Sequence, residues 1–154
     1  TNLLKQIVVI NKGERDGVQV AQTVIDEQGI LGQVINVYPN TSRVLLISDE
    51  QQSVAVTVKR TGQRAIVTGV GLPTSLSLNY VFKTSDVRVG DVLISSGLGG
   101  RIPAGYRVGT IAHIEDTQAD NFKSIKVTPA ANFVDNAYVL VLQDKERPIR
   151  ELAN

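Results

Sequence analysis

His113 is the only histidine in the chain, and the chain has no cysteine. Any imidazole-based hydrolysis would therefore have to run through this one residue. A hydrolytic triad needs a base within hydrogen-bond reach of a nucleophile, plus a carboxylate that orients the base. Ser95 and Ser96 are the serines to test as nucleophiles, and Asp91, Asp116 and Asp120 as the carboxylates. Because Ser and Asp are common in the chain, finding such partners is no argument that they meet. A single His without Cys also lacks the ligands of the usual structural zinc sites, and no calcium-loop spacing occurs. The expectation is no catalytic residue, no metal and no cofactor.

The glycine-rich stretch from Ser95 to Gly105 invites a phosphate reading that its spacing does not support. Gly97 and Gly99 open a dinucleotide fingerprint, but Ile102 stands at the third glycine position. Gly100 and Gly105 have P-loop spacing, yet Tyr106-Arg107 occupies the place of Lys-Ser/Thr. The reading that remains is a shaped loop motif, in which Gly97, Gly99, Gly100, Pro103 and Gly105 supply positive φ and close backbone approach. A β-branched residue at Gly99 is then expected to destabilise the fold.

These residues must be held by β-structure. Val, Ile and Thr dominate the apolar and small residues and suit a pleated surface. Period-two alternation puts Val54/Val56/Val58 on one side of a strand against Ala55/Thr57/Lys59, and Leu76/Leu78/Tyr80 on one side of another against Ser75/Ser77/Asn79. Further runs are Ile7–Ile10, Val24–Ile25, Val34–Val37, Val44–Ile47, Ala65–Thr68, Val92–Ile94, Thr110–Ile114, Ile125–Val127 and Tyr138–Leu142. The last is apolar throughout and reads as a strand buried on both faces. On Thr110–Ile114, His113 falls on the Ile111 face. Turn residues separate the runs, as at 26–29, 39–40 and 60–63.

A faint internal echo relates 20–25 to 89–94. Gly32-Gln33-Val34-Ile35 and Gly109-Thr110-Ile111-Ala112 follow, then Val44–Ile47 and Ile125–Val127, then Val54–Val58 and Tyr138–Leu142. The expected fold is all-β: two small, tandem, six-stranded-type barrels packed together, with no substantial helix. The expected divisions are an upstream coiled-coil or linker end at 1–6, one barrel at 7–80, a second at 81–143 and a mobile tail at 144–154. Strands could be exchanged between the halves.

The net charge of +1 and the 5% aromatic content disfavour nucleic-acid and carbohydrate binding. No apolar run approaches the roughly 20 residues of a membrane helix. Thr1 in place of Met suggests a fragment.

The order of motifs is more specific than any one motif. Ile10-Asn11-Lys12-Gly13, Asp16-Gly17-Val18 and Gly29-Ile30-Leu31-Gly32-Gln33-Val34 come first. Ser42–Asp49 and Arg60-Thr61-Gly62 follow, and then Val89–Gly100 leads into Pro103-Ala104-Gly105-Tyr106. This order resembles the MreC family of bacterial rod-shape-determining proteins, from about Ile7 to Leu142. Ala21 departs from it, since many relatives carry Gly there.

The resemblance implies a non-enzymatic scaffold of the cell-elongation machinery, at the periplasmic face of the inner membrane, anchored by an N-terminal helix outside this sequence. It implies self-association as a dimer or filament. It implies contacts with the elongation class B penicillin-binding protein (a peptidoglycan transpeptidase) and MreD, and with the MreB system through the membrane and cytoplasmic parts. It identifies no partner-contact residue. The competing reading is a chymotrypsin-like serine hydrolase built on His113 with Ser95 or Ser96.

Overall fold

A computed structural model describes residues 5–116, 121–134 and 138–143. Residues 1–4 of the expected coiled-coil or linker end, Asp120 and the 144–154 tail lie outside these residues. The described chain is all-β apart from one turn of 3-10 helix at Glu14–Asp16.

Four strands come first: β1 (Ile7–Ile10), β2 (Thr23–Ile25), β3 (Ile30–Val37) and β4 (Ser42–Leu46). Six follow: β5 (Ser53–Val58), β6 (Arg64–Gly69), β7 (Leu76–Asn79), β8 (Val92–Ser95), β9 (Arg107–Asp116) and β10 (Lys123–Pro129). The last is β11 (Leu140–Val141). One unit is a closed barrel in the order β10-β7-β6-β5-β8-β9; the other is a five-stranded sheet, β1-β4-β3-β2-β11. The strands therefore divide between β4 and β5 rather than near residue 80, and β11 returns to the first sheet. The cause is pairing: β5 bonds to β8 on one side and to β6 on the other.

The sequence echo is a true structural repeat. In each half a three-stranded meander, β2-β3-β4 or β8-β9-β10, carries the same irregularities at the same places. Val24 faces Gly32 as Leu93 faces Gly109, and the register slips directly after each pair. Val34 faces Val44 as Ile111 faces Val127, with a second slip after each. Loop bonds repeat too. Ala21 N donates to Val34 O at 2.8 Å, as Gly90 N does to Ile111 O at 2.8 Å. Ile47 N donates to Leu31 O at 3.0 Å, as Ala130 N does to Val108 O at 3.0 Å. The strand that follows each meander crosses to the other half: β5 pairs with β8, and β11 with β2. The exchange is reciprocal and ties the two units together.

Burial follows the alternation on β5, where Val54, Val56 and Val58 are buried and Ala55 and Thr57 half-buried. Three readings need correction. Tyr80 does not continue the Leu76/Leu78 face; its φ of 68° turns the ring outward, leaving it 63% exposed. The Tyr138–Leu142 run is not buried on both faces. Only Leu140–Val141 is strand, it lies at the edge against β2, and Leu140 is 66% exposed. His113 does not share the Ile111 face. A β-bulge leaves Ala112 unpaired between the Ile111–Val127 and His113–Lys126 pairs, and the extra residue turns His113 to solvent.

Ala21 and Gly90 make an internal control. Both hold positive φ, 78° and 95°, at equivalent positions, but only Ala21 carries a Cβ. The left-handed region costs an L-residue roughly 1–2 kcal/mol, and Gly returns about 0.4–1 of that through unfolded-state entropy. Ala21→Gly should therefore stabilise the chain by about 0.5 kcal/mol in urea unfolding.

Candidate functional site

The triad does not assemble. Ser95 is buried, and its Oγ donates to Pro103 O at 2.6 Å while accepting from Tyr106 N at 3.0 Å. Ser96 Oγ accepts from Leu98 N at 3.2 Å. Both hydroxyls are engaged by the backbone of their own loop. Asp91 is taken by Arg60, with Nε to Oδ1 at 2.8 Å. His113 stands exposed on β9 with Lys126 as its cross-strand neighbour. Among the described residues no cluster of three His, Cys, Asp or Glu side chains could hold a metal ion.

The glycine loop is a shaped insertion. The short β2–β3 turn and the long β8–β9 loop are stapled alike. Asp26 Oδ1 accepts from Gly29 N at 2.9 Å, and Asp26 N donates to Gly29 O at 3.0 Å. Ser95 Oγ and N make the equivalent bonds to Tyr106 N and O. Where the first repeat has only Glu27 and Gln28, the second inserts residues 96–105.

Gly97, Gly99, Gly100 and Gly105 hold φ of 78°, 84°, 70° and 97°. Ile102 is buried, while Pro103 supplies the carbonyl that Ser95 binds. The loop also reaches the first sheet, since the buried Gln33 donates through Nε2 to Arg101 O at 3.3 Å. A Cβ at Gly99 would meet no neighbour within 4 Å, so its cost is conformational alone. Gly99→Val is expected to cost about 1–2 kcal/mol. Gly97→Val should cost more, because its Cβ would sit 3.1 Å from Ala104 Cβ. Paired thermal melts check the order.

The barrel carries an aromatic patch that composition did not reveal. The chain has four Tyr and three Phe, and Tyr80, Phe82 and Phe122 gather on one surface. Phe82 and Phe122 stack at 5.0 Å between ring centres, and Tyr80 meets Phe122 edge-on at 6.1 Å. Phe82 is 56% exposed. Beside the rings lies a shallow depression of about 300 Å³, lined also by Ser77, Asn79 and Lys123. Backbone bonds hold the platform: Lys123 N donates to Val81 O at 2.8 Å and Lys83 N to Asn121 O at 3.0 Å. Rigid, exposed aromatic rings are the residue types that anchor protein interfaces. The signal available in the sequence was Tyr80-Val81-Phe82, apolar residues running past the end of a strand.

Residues 1–143 match the family model described as "Rod shape-determining protein MreC, barrel core". The cell shape-determining protein MreC of Haemophilus influenzae is 42% identical over 142 residues, which cover 92% of this chain and 40% of that protein. The chain thus spans about two-fifths of that relative's length. The crystal structure of MreC from Pseudomonas aeruginosa superposes with a TM-score of 0.88 at 45% identity, covering 90% of each chain. A complex between penicillin-binding protein PBP2 and MreC from Helicobacter pylori shares the fold, with a TM-score of 0.56 at 19% identity, covering 84% of this chain and 71% of that one. The doubled β-architecture and the likeness along almost the whole chain place this chain in the MreC family, as its barrel core.

Proposed function

We propose that this barrel core is an interaction module of the bacterial cell-elongation machinery, working without catalysis. It positions the elongation transpeptidase at the periplasmic face of the inner membrane and associates with further copies of itself. The aromatic patch of Tyr80, Phe82 and Phe122 carries the reading. It sits on a closed six-stranded barrel, so little ordering entropy is lost when a partner covers it. The Helicobacter pylori relative, seen in complex with a penicillin-binding protein, supports a partner of that class. MreD and the MreB system are further partners of the whole protein, reached through its membrane and cytoplasmic parts.

The experiment fuses the chain to an unrelated dimeric coiled coil and compares its transpeptidase binding with that of the free chain. Avidity predicts tighter apparent binding by the fusion. The Tyr80→Ala/Phe82→Ala double variant should weaken both, each exposed ring giving up about 1–2 kcal/mol. No binding by either folded protein rejects the docking role. His113→Ala in the whole protein should leave rod shape intact; loss of shape with normal folding would reopen the hydrolase reading.

A further inference from the structure

In the barrel, β6 lies between β5 and β7 and closes the ring. The repeat makes β1 the counterpart of β7, and β11 that of β5: Val8 faces Val44 as Leu76 faces Val127. In the first sheet β1 and β11 are the two outer strands, and among the described residues no strand stands between them where β6 stands in the barrel. Leu46 N donates to Gln6 O at 2.8 Å, so antiparallel alternation aims Val8 and Ile10 at β4 and turns the backbone groups of Ile7 and Val9 away from it. Val9 is 64% exposed. Leu142 N donates to Thr23 O at 2.8 Å, and the same alternation turns the backbone groups of Val141 away from β2. Such outward groups are a template for another strand.

We propose that the outer edge of β1 takes up an extended segment of a partner protein by strand addition, at the place β6 holds in the barrel. β6 describes the segment that fits. It buries Ala65 and Val67 and leaves Arg64, Ile66 and Thr68 half-buried or exposed, so small apolar residues are required at alternate positions. The residues that follow β11 in this sequence do not meet that requirement. Residues 144–151 read Asp-Lys-Glu-Arg-Pro-Ile-Arg-Glu, which offers no alternating pair of small apolar side chains, and burying an unpaired charge is costly. A second copy's β1 fits poorly as well, because its Val8 and Ile10 are already packed against its own core and cannot supply the side chains that β6 contributes.

The probe is a fluorescent peptide with the sequence Gln63–Gly69, titrated into the folded chain. Anisotropy should saturate, and amide exchange should slow at Ile7 and Val9 while Val8 and Ile10 stay unchanged. Val9→Pro removes an outward N–H without breaking a bond to β4, and should weaken binding at least tenfold with the melting temperature kept. Should Val9→Pro fail to fold, the peptide N-methylated at its Thr68 position removes the same bonding from the ligand side and should bind at least tenfold more weakly. A peptide with Lys at the Ala65 and Val67 positions should not bind. Tyr80→Ala/Phe82→Ala should bind the probe normally, which separates this edge from the transpeptidase surface. Absence of saturable binding overturns the proposal, as does binding that Val9→Pro leaves undiminished. Protection of Ile7 and Val9 that grows with protein concentration alone would assign the edge to a second copy and overturn it too.

Discussion

Gly32→Ala is expected to destabilise the chain by about 3 kcal/mol in denaturant unfolding, at the upper end for overpacking. Gly32 lies on β3 where that strand crosses between β2 and β4, and an added Cβ would run into the carbonyl of Leu45 and lie 2.9 Å from Leu46 Cα. These are backbone atoms of a paired strand and cannot swing aside as a side-chain tip can. Gly109 holds the same position in the barrel, where a Cβ would meet Thr128 O at 2.6 Å and Val127 Cγ1 at 2.5 Å. Gly109→Ala should therefore cost a similar amount. Gly62→Ala provides the contrast: its φ is 78°, but nothing lies within 4 Å of an added Cβ. Its cost is conformational, about 1 kcal/mol. Equal losses at Gly32 and Gly62 would reject close strand approach as the reason for Gly32.

The strands were legible because each is short, β-branched and bounded by a turn, so local pattern and tertiary burial agree. The repeat was legible for the same reason, through Gly32 and Gly109 and the valines around them. What local pattern could not supply is which strand pairs with which. β5 follows β4 directly in sequence but bonds to β8, and nothing within Ser53–Val58 encodes that choice. The division at residue 80 failed on this point. The outward turn of His113 had the same origin: one unpaired residue at Ala112 reverses every face beyond it, and a bulge leaves no mark in period-two counting.

At the surface the outcome was mixed. Four glycines of the 95–105 stretch hold positive φ, and that requirement could be read from residue type, because only Gly adopts it freely. The aromatic patch could not be read that way. Phe122 is remote from Tyr80 in sequence and reaches it only through the pairing of β10 with β7. Composition also misled, since 5% aromatic content is low for the chain but ample for one concentrated patch.

Asp91→Ala should cost about 2–3 kcal/mol, the scale of a buried carboxylate's charge-assisted hydrogen bonds. Asp91 is nearly inaccessible, with Oδ1 receiving Arg60 Nε at 2.8 Å and Oδ2 receiving Arg88 N at 2.8 Å. Arg60 closes the β5–β6 turn and also reaches Asp86 through Nη1 at 3.0 Å, so one guanidinium pins the approach to β8 against the barrel. The first repeat handles the same corner without charge: Gln22 Oε1 receives Gln19 N at 2.9 Å, as Asp91 receives Arg88 N. Asp91→Gln should accordingly recover part of the loss, by keeping the backbone bond while giving up the ion pair.

The hydrogen bonds from Arg60 hold the Asp91 carboxyl below its ordinary range, against the opposing effect of burial. A depressed carboxyl stabilises the fold fully above the unfolded value near 4 and loses that contribution as pH falls through the folded value. The stability gap between the parent chain and Asp91→Ala should therefore stay constant from pH 7 to about 5, then narrow as the solution is acidified further. Urea unfolding of both proteins across that range measures it. A gap that widened in acid would mean that protonated Asp91 is the stabilising form, contrary to the geometry around Arg60.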